Sequence, residues 1–193
     1  MFEYISGEVL EITPTYSVIS NQGIGYFINI SVHTYSLIQN QKQVKLFIHQ
    51  VIREDAHLLF GFSTKEEREI FRHLISVSGI GANTARMMLS SLSPAEIQAA
   101  ILQNNVSLLQ SIKGIGTKTA QRVIIELKDK IGKADKISEI FPALDNTIQE
   151  ESLSALVNLG FSKSMAEKVI RQIHHEKSDL SVEELIKEAL KRL

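Results

Sequence analysis

The pattern Gly-Ile-Gly-x-x-Thr-Ala occurs at residues 79–85 and again at residues 114–120, thirty-five positions later. The register extends upstream, where Leu74, Ser76 and Val77 align with Leu109, Ser111 and Ile112. Each copy reads as helix, tight glycine hairpin, helix, so this stretch is a duplicated helix-hairpin-helix. Glycine lacks a Cβ, takes positive φ and lets a foreign backbone come close. The isoleucine between the glycines can turn inward and pin the hairpin to its helix pair. The helix that follows opens with N–H groups that have no intrahelical partner, at the positive end of its dipole, which suits a phosphate oxygen. Such contacts fix position on a strand without reading its bases. The expected activity is binding to DNA backbone by shape.

The candidate DNA-binding residues are Gly79, Gly81 and Asn83 in the first copy, and Lys113, Gly114, Gly116, Thr117, Lys118 and Arg122 in the second. A single Gly-x-Gly after a helix is an ordinary C-cap and turn; two copies in matching helical context point to function. Gly116-Thr117-Lys118-Thr119 superficially suggests a nucleoside-triphosphate loop. That motif needs a glycine directly before the lysine and a strand before the loop, and neither is present. A dinucleotide fingerprint fails for want of a third glycine.

Charge is distributed to match. The chain of 193 residues has a formal net charge of −1. Residues 1–63 hold three Lys/Arg against five Asp/Glu, residues 64–133 ten against six, and residues 134–193 eight against eleven. Only the third with the repeats is basic, as an electrostatic footprint on phosphates requires. Lys113, Lys118, Arg122, Lys128, Lys130 and Lys133 cluster around and after the second hairpin, with Lys130 and Lys133 read as a solvated helix face. The absence of cysteine excludes disulfides and thiolate metal sites. No apolar run approaches the roughly 20 residues of a membrane span. Glu3, Glu8 and Glu11 in an alternating pattern argue against a signal or transit peptide. A cytoplasmic location is expected, with no cofactor and no metal.

Four segments follow in order. Residues 1–63 alternate as five short strands with one helix, residues 33–39, between the third and fourth: the order of an OB-fold barrel, with an SH3-like barrel as the alternative. Arg53-Glu54-Asp55-Ala56 would be a hairpin tip carrying two carboxylates, which is ordinary turn chemistry or, on a DNA-binding protein, a wedge that repels phosphates. Residues 64–133 are helical: a Thr64-x-x-Glu67 capping box opens one helix, Ser93-Pro94-Ala95-Glu96 another, and a long helix runs through Leu127. Residues 134–149 are a candidate linker, unusually apolar at Ile137, Ile140, Phe141 and Leu144. Residues 150–193 read as a small three-helix bundle, too thin in core for a catalyst and suited to an interaction module. Its His174-His175 pair implies no metal, because helix neighbours point apart.

Taken in this order the whole chain resembles the RuvA family, bacterial proteins that bind Holliday junctions and load the RuvB branch-migration motor. The resemblance rests on Gly7 with Val9, the Gly23-Ile24-Gly25-Tyr26 turn, Arg53-Glu54-Asp55-Ala56 with Leu58-Leu59-Phe60-Gly61-Phe62, both hairpins, Glu126-Leu127-Lys128, and residues 155–161. It implies an α+β multidomain fold: an OB-fold barrel, a tandem helix-hairpin-helix domain and a C-terminal UBA-like bundle. It also implies a non-catalytic subunit that binds four-way junctions as a homotetramer, with an octamer on DNA left open. ATP hydrolysis would belong to RuvB, and RuvC resolvase would be a further partner. Glu54 and Asp55 correspond to an acidic pin at the tetramer centre, while Leu156, Leu159, Phe161 and Leu190 fall where the last domain meets RuvB. Two departures are Asn83, where the second hairpin has Lys118, and the short apolar linker.

Two other functions share some of these features. Base-excision glycosylases also use helix-hairpin-helix motifs, with a lysine nucleophile that Lys118 could supply and an acid that Asp135 could supply. About seventy helical residues are few for a flipped-base pocket. A single-strand scaffold would need stacking aromatics beside a basic groove. The barrel has Tyr4, Tyr16, Tyr26, Phe27 and Phe47, most of them read as core, with Lys42, Lys45 and Arg53 as its only Lys/Arg.

Overall fold

The computed structural model describes residues 2–137, 145–177 and 180–193. It divides into two compact units, Met1–Asp135 and Lys136–Leu193.

The first unit begins with β1 (Tyr4–Ile12), β2 (Tyr16–Asn21), β3 (Ile24–Ile30), α1 (Val32–Ile38), β4 (Gln43–Ile52) and β5 (His57–Phe62). The strands close into a barrel in the order β1-β2-β3-β5-β4. Only the β3–β5 pair is parallel, as an OB-like barrel requires, and this decides against the SH3-like alternative. Gln22 and Gly23 form a two-residue hairpin turn, both at positive φ, with Asn21 facing Ile24 across it. Alternation buries Ile5, Ile19, Ile28, Ile30, Leu46 and Ile48 in the barrel.

Five helices follow: α2 (Lys65–Ile75), α3 (Ala82–Ser91), α4 (Pro94–Leu102), α5 (Val106–Gln110) and α6 (Thr117–Ile137). Ser93 starts α4 with a complete capping box. Thr64 accepts from the Glu67 N–H as expected, but the Glu67 carboxylate does not turn back to close the box. It is fully buried and accepts instead from Ser31 Oγ at 2.5 Å, Thr34 Oγ1 at 2.6 Å and the Ser63 N–H at 3.3 Å. Glu67 therefore ties α2 to the barrel, in a site where a carboxylate without those donors would be costly. Arg68 does the same from the next position, donating to the Glu3 carbonyl and pairing with the Glu3 carboxylate at 2.6 Å. That contact holds the Glu3 carboxyl below the usual range. Phe71 completes the junction by packing on Phe60 and Phe62, ring centroids 5.3 and 4.8 Å away, so β5 contributes to the core of the helices while the barrel interior keeps its own.

Helix α6 runs ten residues past Leu127, the expected end. Ala120, Val123, Ile124, Leu127 and Ile131 continue one buried stripe, and a single glycine at 132 is too weak a breaker to stop it.

In the second unit α7 (Asp145–Asn158), α8 (Lys163–Glu176) and α9 (Val182–Leu190) pack around Leu156, Ala166, Ile170, Ile173, Leu185 and Ala189. Helix α7 starts before the expected residue 150, at Asp145-Asn146, residue types that favour helix starts. The proposed linker thus overlaps helix at both ends, and its Ile140, Phe141 and Leu144 lie outside the described residues. Gly160, at φ +101°, ends α7 while the Phe161 N–H returns to the Leu156 carbonyl. Arg192 forks onto both Glu176 carboxylate oxygens, at 3.1 and 2.8 Å, and reaches Glu188, which clasps α8 to α9 and holds both carboxyls below their usual range.

Candidate nucleic-acid interface

The two hairpins fold alike, hydrogen bond for hydrogen bond. The Ile80 N–H donates to the Val77 carbonyl and the Ile115 N–H to the Ile112 carbonyl, at 3.1 and 3.0 Å. Ile80 and Ile115 are each 5% exposed, so both turn into the helical core. The first ladder bond of the next helix is Ala85 to Gly81 in one copy and Ala120 to Gly116 in the other, both 2.9 Å. The amides before Ala85 and Ala120 precede the intrahelical ladder, at the positive ends of α3 and α6. Gly81, the N-cap of α3, has no side chain with which to bond them.

The four hairpin glycines are needed for two different reasons. Gly79 and Gly114 stand at φ +93° and +90°, where any other residue costs about 1–2 kcal/mol. Gly81 and Gly116 are not in that region, and a Cβ on either would meet no protein atom within 4 Å. Nothing in the fold demands glycine at these two positions. What they leave is open space directly in front of the unpaired amides.

Arg122, from α6, crosses to the first hairpin, where it donates to the Ser78 carbonyl at 3.1 Å. The two amide cradles are therefore neighbours. Asn83, Lys113, Thr117 and Lys118 are exposed around them, and among the described residues Lys113 and Lys118 have no ion pair or hydrogen bond. Other cations among the described side chains are engaged elsewhere. Lys128 donates to Asn104 and Lys130 to Ser76, while Arg86 donates to the Thr15 carbonyl and Asn29 in the barrel, where burial lowers its pKa. Arg68 and Arg86 look like part of the basic footprint in sequence, yet both act as joints between barrel and helices.

Glu54 and Asp55 sit exposed in the β4–β5 connection, closed by mutual backbone bonds between Arg53 and Ala56. In the second unit the expected partner residues separate. Leu156 is fully buried and Phe161 packs on the same core, so Leu156 supports the bundle and offers no contact surface. Leu159 and Leu190 are 61% and 43% exposed, and Val157 and Met165, which carry no role in the sequence reading, are exposed as well. Their signal is apolar residues that the helical period leaves outside the stripe.

Of the five barrel aromatics read mostly as core, none is fully buried, although Tyr26 packs against the barrel core. Tyr4 and Phe27 are 51% and 55% exposed, because the core positions of their strands are filled by isoleucine and leucine. Their faces are already used: Tyr16 stacks on Phe27 at 4.6 Å, and the Lys45 ammonium lies 4.0 Å over Tyr4. Lys118 lies in the first turn of α6, and the Asp135 side chain is outside the described residues. Among the described residues no group of three or more His, Asp or Glu gathers as metal ligands, and no helix is long and apolar enough to cross a membrane.

Comparison with known proteins covers the same segments. Residues 1–61 match the RuvA N terminal domain, residues 71–129 a SAM-like helix-hairpin-helix tandem, and residues 147–193 the RuvA C-terminal domain. The chain is 52% identical over its full length to a protein of Christiangramia forsetii and 51% identical to one of Flavobacterium psychrophilum, covering all of each. It is 49% identical to one of Bacteroides fragilis, again over the whole of both chains. All three carry the name Holliday junction branch migration complex subunit RuvA.

Proposed function

The chain belongs to the RuvA family, and on that footing we propose that it binds Holliday junctions and serves branch migration with a RuvB motor. The observation that carries the mechanism is the pair of glycines, Gly81 and Gly116, that the fold itself does not need. They keep side chains away from amides that would otherwise be shielded, so a phosphate oxygen can reach the N-termini of α3 and α6. Lys113, Lys118 and Asn83 flank these cradles, and Arg122 holds one against the other. Since only backbone and charge are engaged, arms of any sequence are held alike.

The remaining roles are those that the family resemblance implies. Glu54 and Asp55 form the acidic pin that keeps strands apart at the crossover of a homotetramer, and two tetramers can enclose one junction. Leu159 and Leu190, exposed apolar residues of the second unit like Val157 and Met165, receive the motor; ATP is hydrolysed by that partner, and this chain contributes no catalytic group. RuvC joins the complex to resolve the junction.

Gly81→Ala with Gly116→Ala tests the cradle. Thermal stability should stay within a degree or two, because the added methyls meet nothing. Four-way junction affinity should fall about tenfold or more, each lost charge-assisted contact being worth about 1.5–3 kcal/mol. Unchanged affinity in a folded double variant would remove the amide mechanism.

A further inference from the structure

One apolar side chain stands between the two cradles, and phosphate binding gives it no part. Met87 is 36% exposed. On α3 it follows Asn83 by four residues and Thr84 by three, so helical spacing places it on their face, and with them it lines a groove that also includes Thr15 and Arg86. Its Cε lies 3.6 Å from where a Cβ on Gly114 would stand, so the same side chain reaches the second hairpin. Arg122 also links α6 to the first hairpin through the Ser78 carbonyl.

We propose that Met87 is a DNA contact, packing on the deoxyribose walls of the minor groove while the hairpin amides hold phosphates on either side. This rests on the junction-binding reading. Cradles that grip two strands bracket a groove about 6 Å wide, and what faces the protein between them is sugar C–H surface, which carries no charge. A flexible, polarizable thioether suits that surface and tolerates any arm sequence. The contact adds affinity without releasing counterions, so unlike the lysines it is insensitive to salt.

The test titrates the full-length protein against a four-way junction across a salt series, comparing Met87→Gln, Met87→Leu and Lys118→Ala with the unsubstituted chain. Met87→Gln should weaken binding about three- to tenfold at every salt concentration, with the slope of log affinity against log salt unchanged. Met87→Leu should stay within about twofold. Lys118→Ala should instead flatten the slope by about 1 per contacting protomer. Subunit assembly, measured by mass, should be the same throughout. Unsubstituted affinity in the Gln variant, an altered slope, or a loss traced to altered assembly would each overturn the proposal. If the unsubstituted chain failed to prefer the junction, the reading beneath it would fall instead.

Discussion

His49 lies on β4 against Phe71 of α2, ring centroids 5.3 Å apart, where burial first and then Arg72 and Arg68 lower its pKa from 6.5. Folding thus favours the neutral imidazole over the charged one. As pH falls through about 6.5 the unfolded chain takes up the proton first, so the stability contribution present above that pH is lost below it. Thermal midpoints should therefore hold steady from pH 8 to about 7 and drop toward pH 5.5. His49→Gln should reduce that drop; an identical pH profile in the variant would mean His49 is not the titrating group. Glu3 acts in a lower window, its contribution disappearing only as pH falls below 4.5. Neither group announces itself in sequence, because both shifts arise from contacts that α2 makes with β4 and with the residue just before β1 only on folding. Glu67 has the same character: its local pattern points to a capping box, while Ser31, Thr34 and Ser63, brought close by the barrel, claim its carboxylate.

Among the elements, local codes read out well. The Ser93 capping box and the two glycine hairpins stand where residue type and spacing put them. What the chain does not print locally is register and ending: α6 outlasts its apparent end because Ile131 extends a tertiary stripe, and Tyr4 and Phe27 face outward because isoleucines hold the interior. The hairpin geometry is legible in the sequence, but not which cations are engaged by the fold; Arg86 is spent on Thr15 and Asn29, and only folding reveals it. The β4–β5 loop is the clearest separable element. Its carboxylates are exposed and bonded to nothing among the described residues, so Glu54→Gln with Asp55→Asn should leave the barrel stable. Junction affinity in that double variant should be equal or higher, since two repulsive charges are gone, while motor-driven migration rates change. A tenfold loss of affinity would contradict a pin that acts by repulsion.

At the scale of the molecule the chain divides into two units, Met1–Asp135 with both hairpins and Lys136–Leu193 with its own core. Removing residues 145–193 should leave junction affinity within about twofold, because none of the cradle's phosphate contacts lies there. The same truncation should abolish stimulation of the motor ATPase; persistent stimulation would move the docking surface to the first unit. Whether the paired cradles recognise a branched backbone is answered most directly by competition: a labelled four-way junction, challenged with excess linear duplex of identical arm sequence, followed by mobility shift at fixed salt. The junction should remain bound at duplex excesses of a hundredfold or more, whatever the arm sequence. Equal competition by the duplex would contradict recognition of the junction.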